Sequence, residues 1–466
     1  MKKVIQMVFT ITISLSFFIA VGQKNDGYET HRLKIEIKNY EDSTLLLAQI
    51  YGDEITVIDT IHQSARKGIF KYSIPYGTPT GVYRIIADKK NNQSFDVVFN
   101  DSDIFVLTSA SHLREQLQVI ESIDTRLYHR HQRAEGYIRY KQSVIDQMLE
   151  KYPSNDPFYE KIENKYIRLQ KERHDSAIAI TSNYPDTFVA KIIKTGMVPV
   201  NKNLANRSGW ENYRKKHFFD YTSLSDAGIL RSQALPNKIL DFLGLYRKTS
   251  YNKAQQQAEF SKAVDTLIKY TQGNAEIFDF TINFLIDGFR RYEFNQLVDH
   301  IASQTEEALK CLNSERRNAV KEKIQESQVA TPGTKAPDIQ LPGINGDTVR
   351  LKDFNGSMTL AVFWASWCPH CMRMLPELQK FYSQTDANLQ VFAVSLDTDR
   401  DEWQKAAKKY PWTHVSDLKG WDSSAADKYQ VYGTPSFFLL DGNRKVLVRS
   451  GSLTEIKRYI KKKPQD

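Results

Sequence analysis

Three regions of the chain differ in the spacing of their apolar positions. Between about residues 28 and 109, apolar and polar residues alternate in short runs, which is typical of half-buried strands. Turn-forming residues at 41–43, 52–53 and 75–79 separate these runs. We therefore expect a small β-sandwich over residues 23–110. The predicted strands are 33–37, 44–50, 54–61, 82–87 and 95–99.

Residues 112–326 have a helical period instead. Long, charged stretches carry apolar residues at steps of three and four, and a Pro-Ser-Asn-Asp-Pro segment at 153–157 separates two of them. This pattern predicts an all-α domain of antiparallel helix pairs over residues 111–327. The predicted helices are 137–152, 158–180, 224–230, 239–246, 254–271, 275–294 and 304–326.

The last region, residues 328–466, alternates between strand and helix signals and therefore predicts an α/β domain. It begins with a hairpin over 338–350, whose turn is the strongly turn-forming pair Asn345-Gly346. The strands that follow are predicted at 359–365, 389–395, 437–440 and 446–448, and the helices at 368–384, 401–409 and 453–461. The chain as a whole is therefore predicted to be a multidomain protein.

Composition agrees with several folded domains. The chain has 466 residues, of which 41% are hydrophobic and 26% charged, so it is too long for one ordinary domain and too apolar to be disordered. The formal charge of +9 is spread thinly, apart from three lysines at 461–463 that suit the end of a helix. Nucleic acid is therefore not a predicted partner.

The first 22 residues have the pattern of a secretory signal peptide. A charged start, Met1-Lys2-Lys3, precedes an apolar run that ends in the small residues Ala20-Val21-Gly22. An uncleaved membrane anchor is the alternative, because the run approaches the ~20 residues of a spanning helix; Gln6 and the Ser and Thr content disfavour it. We expect cleavage after Gly22, no lipid attachment, and export to the periplasm or cell envelope.

Two of the three cysteines lie three positions apart in a setting that favours redox chemistry. Cys368 follows a predicted buried strand, and a helix begins at or near it with Pro369 in the first turn. A helix N-terminus favours the nucleophilic thiolate form of Cys368, and Cys371, one turn later, can reach the same sulfur. His370 can add a hydrogen bond or a positive charge. The third cysteine, Cys311, is expected to be a buried core residue.

Metal sites are weighed against this interpretation and rejected. Structural zinc needs about four paired ligands, and no second Cys-x-x-Cys or His pair follows Cys371. His129 and His131, at i and i+2, are expected to face different sides of a helix. Residues 397–401 resemble the start of a calcium loop, but Glu402 replaces the required Gly, so these acids are expected to cap a helix instead. No metal or other cofactor is predicted.

Several motifs in the C-terminal region occur in a known order. They are Ala336-Pro337-Asp338, Leu351-Lys352-Asp353-Phe354-Asn355-Gly356, Phe363-Trp364-Ala365-Ser366-Trp367-Cys368-Pro369-His370-Cys371, Pro376, Val394-Ser395-Leu396-Asp397 and Tyr432-Gly433-Thr434-Pro435. With them, residues 330–466 resemble the thioredoxin superfamily, in its exported TlpA/ResA-like branch. The N-terminal β-rich region is similar to a domain of uncharacterised type that often precedes such a domain.

The resemblance implies roles for individual residues. Cys368 is the attacking cysteine, Cys371 resolves the mixed disulfide, and Thr434-Pro435 matches the cis-proline position that contacts the active-site disulfide and pairs with an extended substrate. Trp364 and Trp367 flank the site, and Trp367 shields the sulfur and contacts substrate. Pro376 matches the proline inside the active-site helix.

This chain departs from the family at its proton acceptor. Where thioredoxins have a buried acid and ResA-like proteins a glutamate, this chain has Val362 and Met374. Glu377 and Asp338 are weaker candidates for accepting the proton of Cys371.

The predicted function is an exported thiol–disulfide oxidoreductase that reduces disulfides of envelope proteins and receives electrons from a membrane thiol protein. Because the Pro369-His370 dipeptide is shared with DsbA, an oxidant or isomerase is one alternative. A peroxiredoxin-like peroxidase is disfavoured by the Cys-x-x-Cys pair. A non-enzymatic envelope binding protein, with a thioredoxin domain that only docks, is the remaining alternative.

Overall fold

The computed structural model describes residues 30–88, 93–200, 207–292, 294–305, 318, 320–322, 329–354, 356–385 and 388–462. The predicted signal peptide, Cys311 and most of the predicted helix 304–326 lie outside the described residues. Within the described part, no helix is both long enough and apolar enough to span a membrane. The chain divides into two compact units: an N-terminal unit (residues 1–251 and 269–280) and a C-terminal unit (252–268 and 281–466).

The N-terminal unit contains a β-sandwich. Its two four-stranded sheets have the strand orders β4-β1-β7-β8 and β3-β2-β5-β6. Alternate residues of both sheets, such as Leu33, Ile35 and Phe95, are buried in one core between them, which confirms the predicted sandwich. The strands are β1 His31–Lys38, β2 Thr44–Tyr51, β3 Glu54–His62, β4 Ile69–Ile74, β5 Gly81–Asp88, β6 Gln93–Phe99, β7 Ile104–Ser109 and β8 Gln118–Glu121.

Three of these strands, β4, β7 and β8, are absent from the sequence prediction. Strand β7 pairs with β1 on one side, in parallel, and with β8 on the other. Its first four residues are all apolar, so the alternation that identifies an amphipathic strand is not visible there. Strand β8 lies past residue 110, where we expect the β domain to end.

Helices dominate the middle of the chain, as predicted. They are α1 Ile123–Lys151, α2 Pro157–Asn183, α3 Phe188–Gly196, α4 Arg207–Lys216, α5 Ala234–Gly244, α6 Lys253–Thr271, α7 Ala275–Arg291 and α8 Asn295–Thr305. The predicted break between the first two is confirmed, with Asp156 capping α2 through the amide of Phe158. The predicted helix 224–230 is instead a short 3-10 helix, Ala227–Arg231.

The C-terminal unit contains an α/β domain built on a five-stranded sheet of order β13-β12-β11-β14-β15. This domain and the N-terminal sandwich confirm the predicted fold class. Its strands are β9 Gln340–Pro342, β10 Thr348–Arg350, β11 Met358–Trp364, β12 Leu389–Ser395, β13 Thr413–Val415, β14 Ser436–Asp441 and β15 Val446–Ser450. Its helices are α9 Pro369–Gln384, α10 Arg400–Ala407, α11 Ser424–Lys428 and α12 Leu453–Lys462.

Strand β11 is the centre of this sheet and positions the functional site. It pairs in parallel with β12 and antiparallel with β14, and all seven of its residues are buried. Leu360, Val362 and Trp364 pack into the core that contains both cysteines, whereas Ala361 and Phe363 pack into the core on the opposite face. The segment that carries the cysteines therefore begins at the carboxyl end of a fully buried central strand, which holds it in place.

Candidate active site

The cysteine pair lies where strand β11 gives way to helix α9. Cys368 is the N-cap of α9, Pro369 is in the first turn as predicted, and the amide of Cys371 donates a hydrogen bond to the Cys368 sulfur at 3.2 Å. The two cysteines form a disulfide with Cα atoms 5.3 Å apart. Cys368 retains 4% exposure and Cys371 none, so Cys368 is the cysteine that a partner can reach first.

The Thr434-Pro435 segment contacts the disulfide. Its peptide bond is cis, and the carbonyl oxygen of Thr434 lies 3.4 Å from the Cys368 sulfur. The Ser436 hydroxyl donates to the carbonyl of Gly433 at 2.8 Å, which holds this loop against the start of β14. The sequence resemblance assigns this position to the site, and the structure brings it into contact with Cys368.

A buried carboxylate, Asp397, anchors the turn that precedes Cys368. It is 1% exposed and accepts hydrogen bonds from the amide of Ser366 at 3.0 and 3.1 Å, from the Ser366 hydroxyl at 2.6 Å and from the Ser395 hydroxyl at 2.6 Å. From the sequence, Asp397 is expected only as part of a family motif and as one of the acids that cap the next helix; the cap is Asp399 instead. The available signal was its position just past β12, because parallel neighbouring strands end at the same edge of a sheet.

The other carboxylates considered for the site are engaged elsewhere. Asp338 accepts a hydrogen bond from the amide of Lys352 at 2.9 Å, and Glu377 is exposed, with its nearest ammonium on Lys457 at 3.9 Å. Val362 and Met374, at the positions where related proteins have acids, are buried in the core beside the cysteines.

The exposed side chains around the cysteines are partnered with neighbours. The guanidinium of Arg373 lies within hydrogen-bond distance of Nδ1 of His370, at 2.9 Å. Trp367 is 52% exposed and its ring lies 6.2 Å from that of Trp421. Pro376 lies inside α9. The pairings with Arg373 and Trp421 are not part of the sequence prediction.

A buried histidine lies behind the site. His414 of β13 is 2% exposed, its ring is 5.5 Å from that of Trp364, and among the described residues neither of its ring nitrogens has a hydrogen-bond partner. Burial lowers the pKa of His414 to about 4, so the ring is neutral at neutral pH.

The two motifs that were considered as metal sites, the acids at 397–401 and the histidines at 129 and 131, have other roles in the structure. Asp399 caps α10 through the amides of Asp401 and Glu402 at 2.9 and 3.0 Å, which confirms the predicted cap. His129 and His131 contact different neighbours, although both line one cavity of the N-terminal unit: Nε2 of His129 donates to the carbonyl of Asp96 at 2.7 Å, and His131 lies near Glu135 and Arg173. Burial lowers the pKa of both histidines.

Comparison with known proteins agrees with this site. The profile of the AhpC/TSA family matches residues 332–449. An uncharacterised protein of Haemophilus influenzae is 31% identical over 118 residues, covering 24% of this chain and 74% of that protein. Thiol-disulfide oxidoreductase ResA of Geobacillus thermodenitrificans is 27% identical over 139 residues, covering 29% of this chain and 79% of ResA.

Among solved structures, a thiol-disulfide oxidoreductase from Bacteroides fragilis is 31% identical, with a TM-score of 0.24, and covers 27% of this chain and 99% of that one. The family profile lies in the C-terminal region, which contains the sheet, the Cys-x-x-Cys pair and the cis-proline. The C-terminal region is therefore a thioredoxin-like domain that matches the AhpC/TSA family, and its relatives include thiol–disulfide oxidoreductases named ResA.

Proposed function

We propose that this protein is exported and reduces disulfide bonds of cell-envelope proteins through Cys368 and Cys371. The observation that carries the proposal is the placement of Cys368: it caps α9, receives the amide of Cys371, and touches the cis-proline loop. The charged and apolar pattern of residues 1–22 supports export. The similarity to thiol-disulfide oxidoreductase ResA supports thiol–disulfide exchange as the chemistry.

Two exchange steps transfer the electrons. The Cys368 thiolate attacks one sulfur of the client disulfide; a bond forms between these sulfurs, the client S–S bond breaks, and the second client sulfur leaves as a thiolate that takes up a proton. Cys371 then loses its proton and attacks the Cys368 sulfur, which releases the first client sulfur. The client gains two electrons and two protons, and the Cys368–Cys371 disulfide forms.

The surroundings of the two cysteines support a distinct part for each in these steps. The amide of Cys371, in the first turn of α9, donates to the Cys368 sulfur, and the helix N-terminus favours its thiolate, which is the attacking species. Complete burial keeps Cys371 from client disulfides until Cys368 is bound to one. Asp397 holds the preceding turn in place, which fixes the direction from which Cys368 is approached.

The client chain pairs with the backbone at Thr434-Pro435 in this proposal, because that segment lies against Cys368. Each turnover leaves Cys368 and Cys371 oxidised, so a dithiol donor must reduce them. We assign that part to a membrane thiol protein.

The test is turnover of a disulfide-bonded peptide by the mature protein with a dithiol donor. We expect reduction that depends on Cys368 and is abolished by Cys368→Ser. Reduction at the wild-type rate by Cys368→Ser would overturn the proposal, and an intact biological function of that variant would favour a binding protein instead.

A further inference from the structure

We propose that a cationic groove beside the disulfide binds an acidic segment of the client, so that disulfides flanked by Asp or Glu are reduced preferentially. The cationic groove is a cavity of about 570 Å³ in the C-terminal unit, lined by Arg290, Arg291, Arg373 and Arg449 around the cis-proline loop. The proposal deepens the proposed function and rests on it.

The groove reaches the reactive sulfur. His370 and Arg373, both on α9, form one side, and Thr434 and Pro435 form another. Thr434 is the residue whose carbonyl oxygen lies 3.4 Å from the Cys368 sulfur. A chain that pairs with the cis-proline loop therefore places its neighbouring side chains in the groove.

The charges that line the groove are unbalanced. Among the described residues, the lining has four arginines and one carboxylate, Glu377, which is exposed and has Lys457 at 3.9 Å. Arginine presents a planar fork of donors that matches a carboxylate with two parallel hydrogen bonds. Carboxylates of a bound peptide are therefore the groups that best complement this lining.

Two of the arginines are held in place by the loop that carries Pro435. Arg290, at the end of α7, is 4% exposed; its guanidinium donates to the side-chain oxygen of Gln430 and lies 5.6 Å from the ring of Tyr432. Arg449 of β15 donates to the backbone oxygen of Gln430 at 2.7 Å. Both guanidinium groups thus bind Gln430, and these contacts hold their positive charges in position in the absence of a client.

The carboxylate nearest to Arg290 compensates it only weakly. Asp287 is 48% exposed and lies 4.0 Å away, and the Nε of Arg290 has no hydrogen-bond partner among the described residues. A buried cation with so distant a counter-charge gains from a further anion nearby. Arg291 and Arg373, both exposed, are the arginines best placed to contact that anion directly.

The test compares three disulfide peptides of equal length with Glu, Ser or Lys beside the cystine. Reduced, full-length mature enzyme is mixed with each peptide, and kcat/KM is measured at low and at high salt. We expect the Glu peptide to react about tenfold faster than the Ser peptide at low salt, the Lys peptide to react slowest, and the differences to shrink at high salt.

Paired variants locate the effect. In Arg291→Gln/Arg373→Gln we expect the ratio of the Glu rate to the Ser rate to fall close to one. The matched control Lys405→Gln/Lys408→Gln removes two exposed charges from the α10 region, away from the groove, and should keep the ratio of the wild type.

Failure of the groove and failure of the proposed function give different results. Equal rates for all three peptides would overturn the acidic preference while leaving the reductase activity in place. If no peptide is reduced, the proposed function fails. The acidic preference of the groove is then tested by binding: fluorescence anisotropy measures the affinity of the same three peptides with Ser in place of each Cys. Tighter binding of the Glu peptide than of the Ser peptide would support the acidic preference of the groove, and equal affinities would overturn it.

Discussion

The turn before Cys368 depends on one buried carboxylate, and Asp397→Asn tests that dependence. Oδ1 of Asp397 accepts from the amide and hydroxyl of Ser366, and Oδ2 accepts from the same amide and from the Ser395 hydroxyl. Asparagine keeps one acceptor oxygen and turns the other into an NH₂ donor, so at least one hydrogen bond to a charged acceptor is lost. Such a bond contributes about 1.5–3 kcal/mol net.

We therefore expect Asp397→Asn to lower the free energy of unfolding by about 2 kcal/mol, or Tm by roughly 4–8 °C for a unit of roughly 200 residues. Urea unfolding followed by tryptophan fluorescence measures this, because Trp364, Trp367, Trp403, Trp412 and Trp421 of the six tryptophans lie in the C-terminal unit.

A positioning role also requires a change in the chemistry of Cys368. Alkylation of the reduced enzyme by iodoacetamide should change in rate and in pH profile in Asp397→Asn. The control Asp399→Ala removes the exposed cap of α10 and should cost about 1 kcal/mol while leaving the alkylation profile as in the wild type. Equal stability and an identical alkylation profile for Asp397→Asn and the wild type would refute the reasoning.

Three further variants test other parts of the structure. Cys371→Ser should accumulate a mixed disulfide between Cys368 and a client peptide, seen by mass spectrometry; release of the peptide without accumulation would contradict the resolving role. Leu360→Ala, at a fully buried position beside the cysteines, should lower the free energy of unfolding by about 2–5 kcal/mol, and half-buried Leu447→Ala by less; equal costs would contradict the assigned core. His414 has a folded pKa of about 4, so the unfolded chain binds more protons below pH ~6.5 and stability falls between pH 6.5 and 4, by up to about 3 kcal/mol. His414→Phe should flatten that part of the pH–stability curve, and an unchanged curve would show that another group causes the loss.

Much of the architecture could be predicted because local patterns determine it. Strand β1 of the sandwich alternates strictly, and the hairpin turn at Asn345-Gly346 places Gly346 at a φ of 84° that suits glycine. Strand β13 and helix α11, of three and five residues, are too short to show a period. Helix α1 begins at Ile123 rather than 137 because Ser122 caps it ahead of its most periodic part.

In the site too, features set by local sequence could be predicted, whereas features set by contacts between distant residues could not. Cys368, Pro369 and Cys371 follow one another on a strand and a helix that the pattern predicts, so their arrangement could be foreseen. Asp397 meets Ser366 across 31 residues through the pairing of β11 with β12, and Arg290 meets Gln430 across 140 residues. Contacts of that range depend on how elements pack, which local periodicity does not encode.

The reduction potential of the Cys368–Cys371 pair tests the central claim most directly. The purified mature protein is equilibrated against defined dithiol buffers, and the fraction of disulfide is measured by alkylation and mass spectrometry. A reductant of envelope disulfides should have a potential near that of thioredoxin, about −270 mV. A value near that of DsbA, about −120 mV, or the absence of any Cys368–Cys371 disulfide, would contradict it.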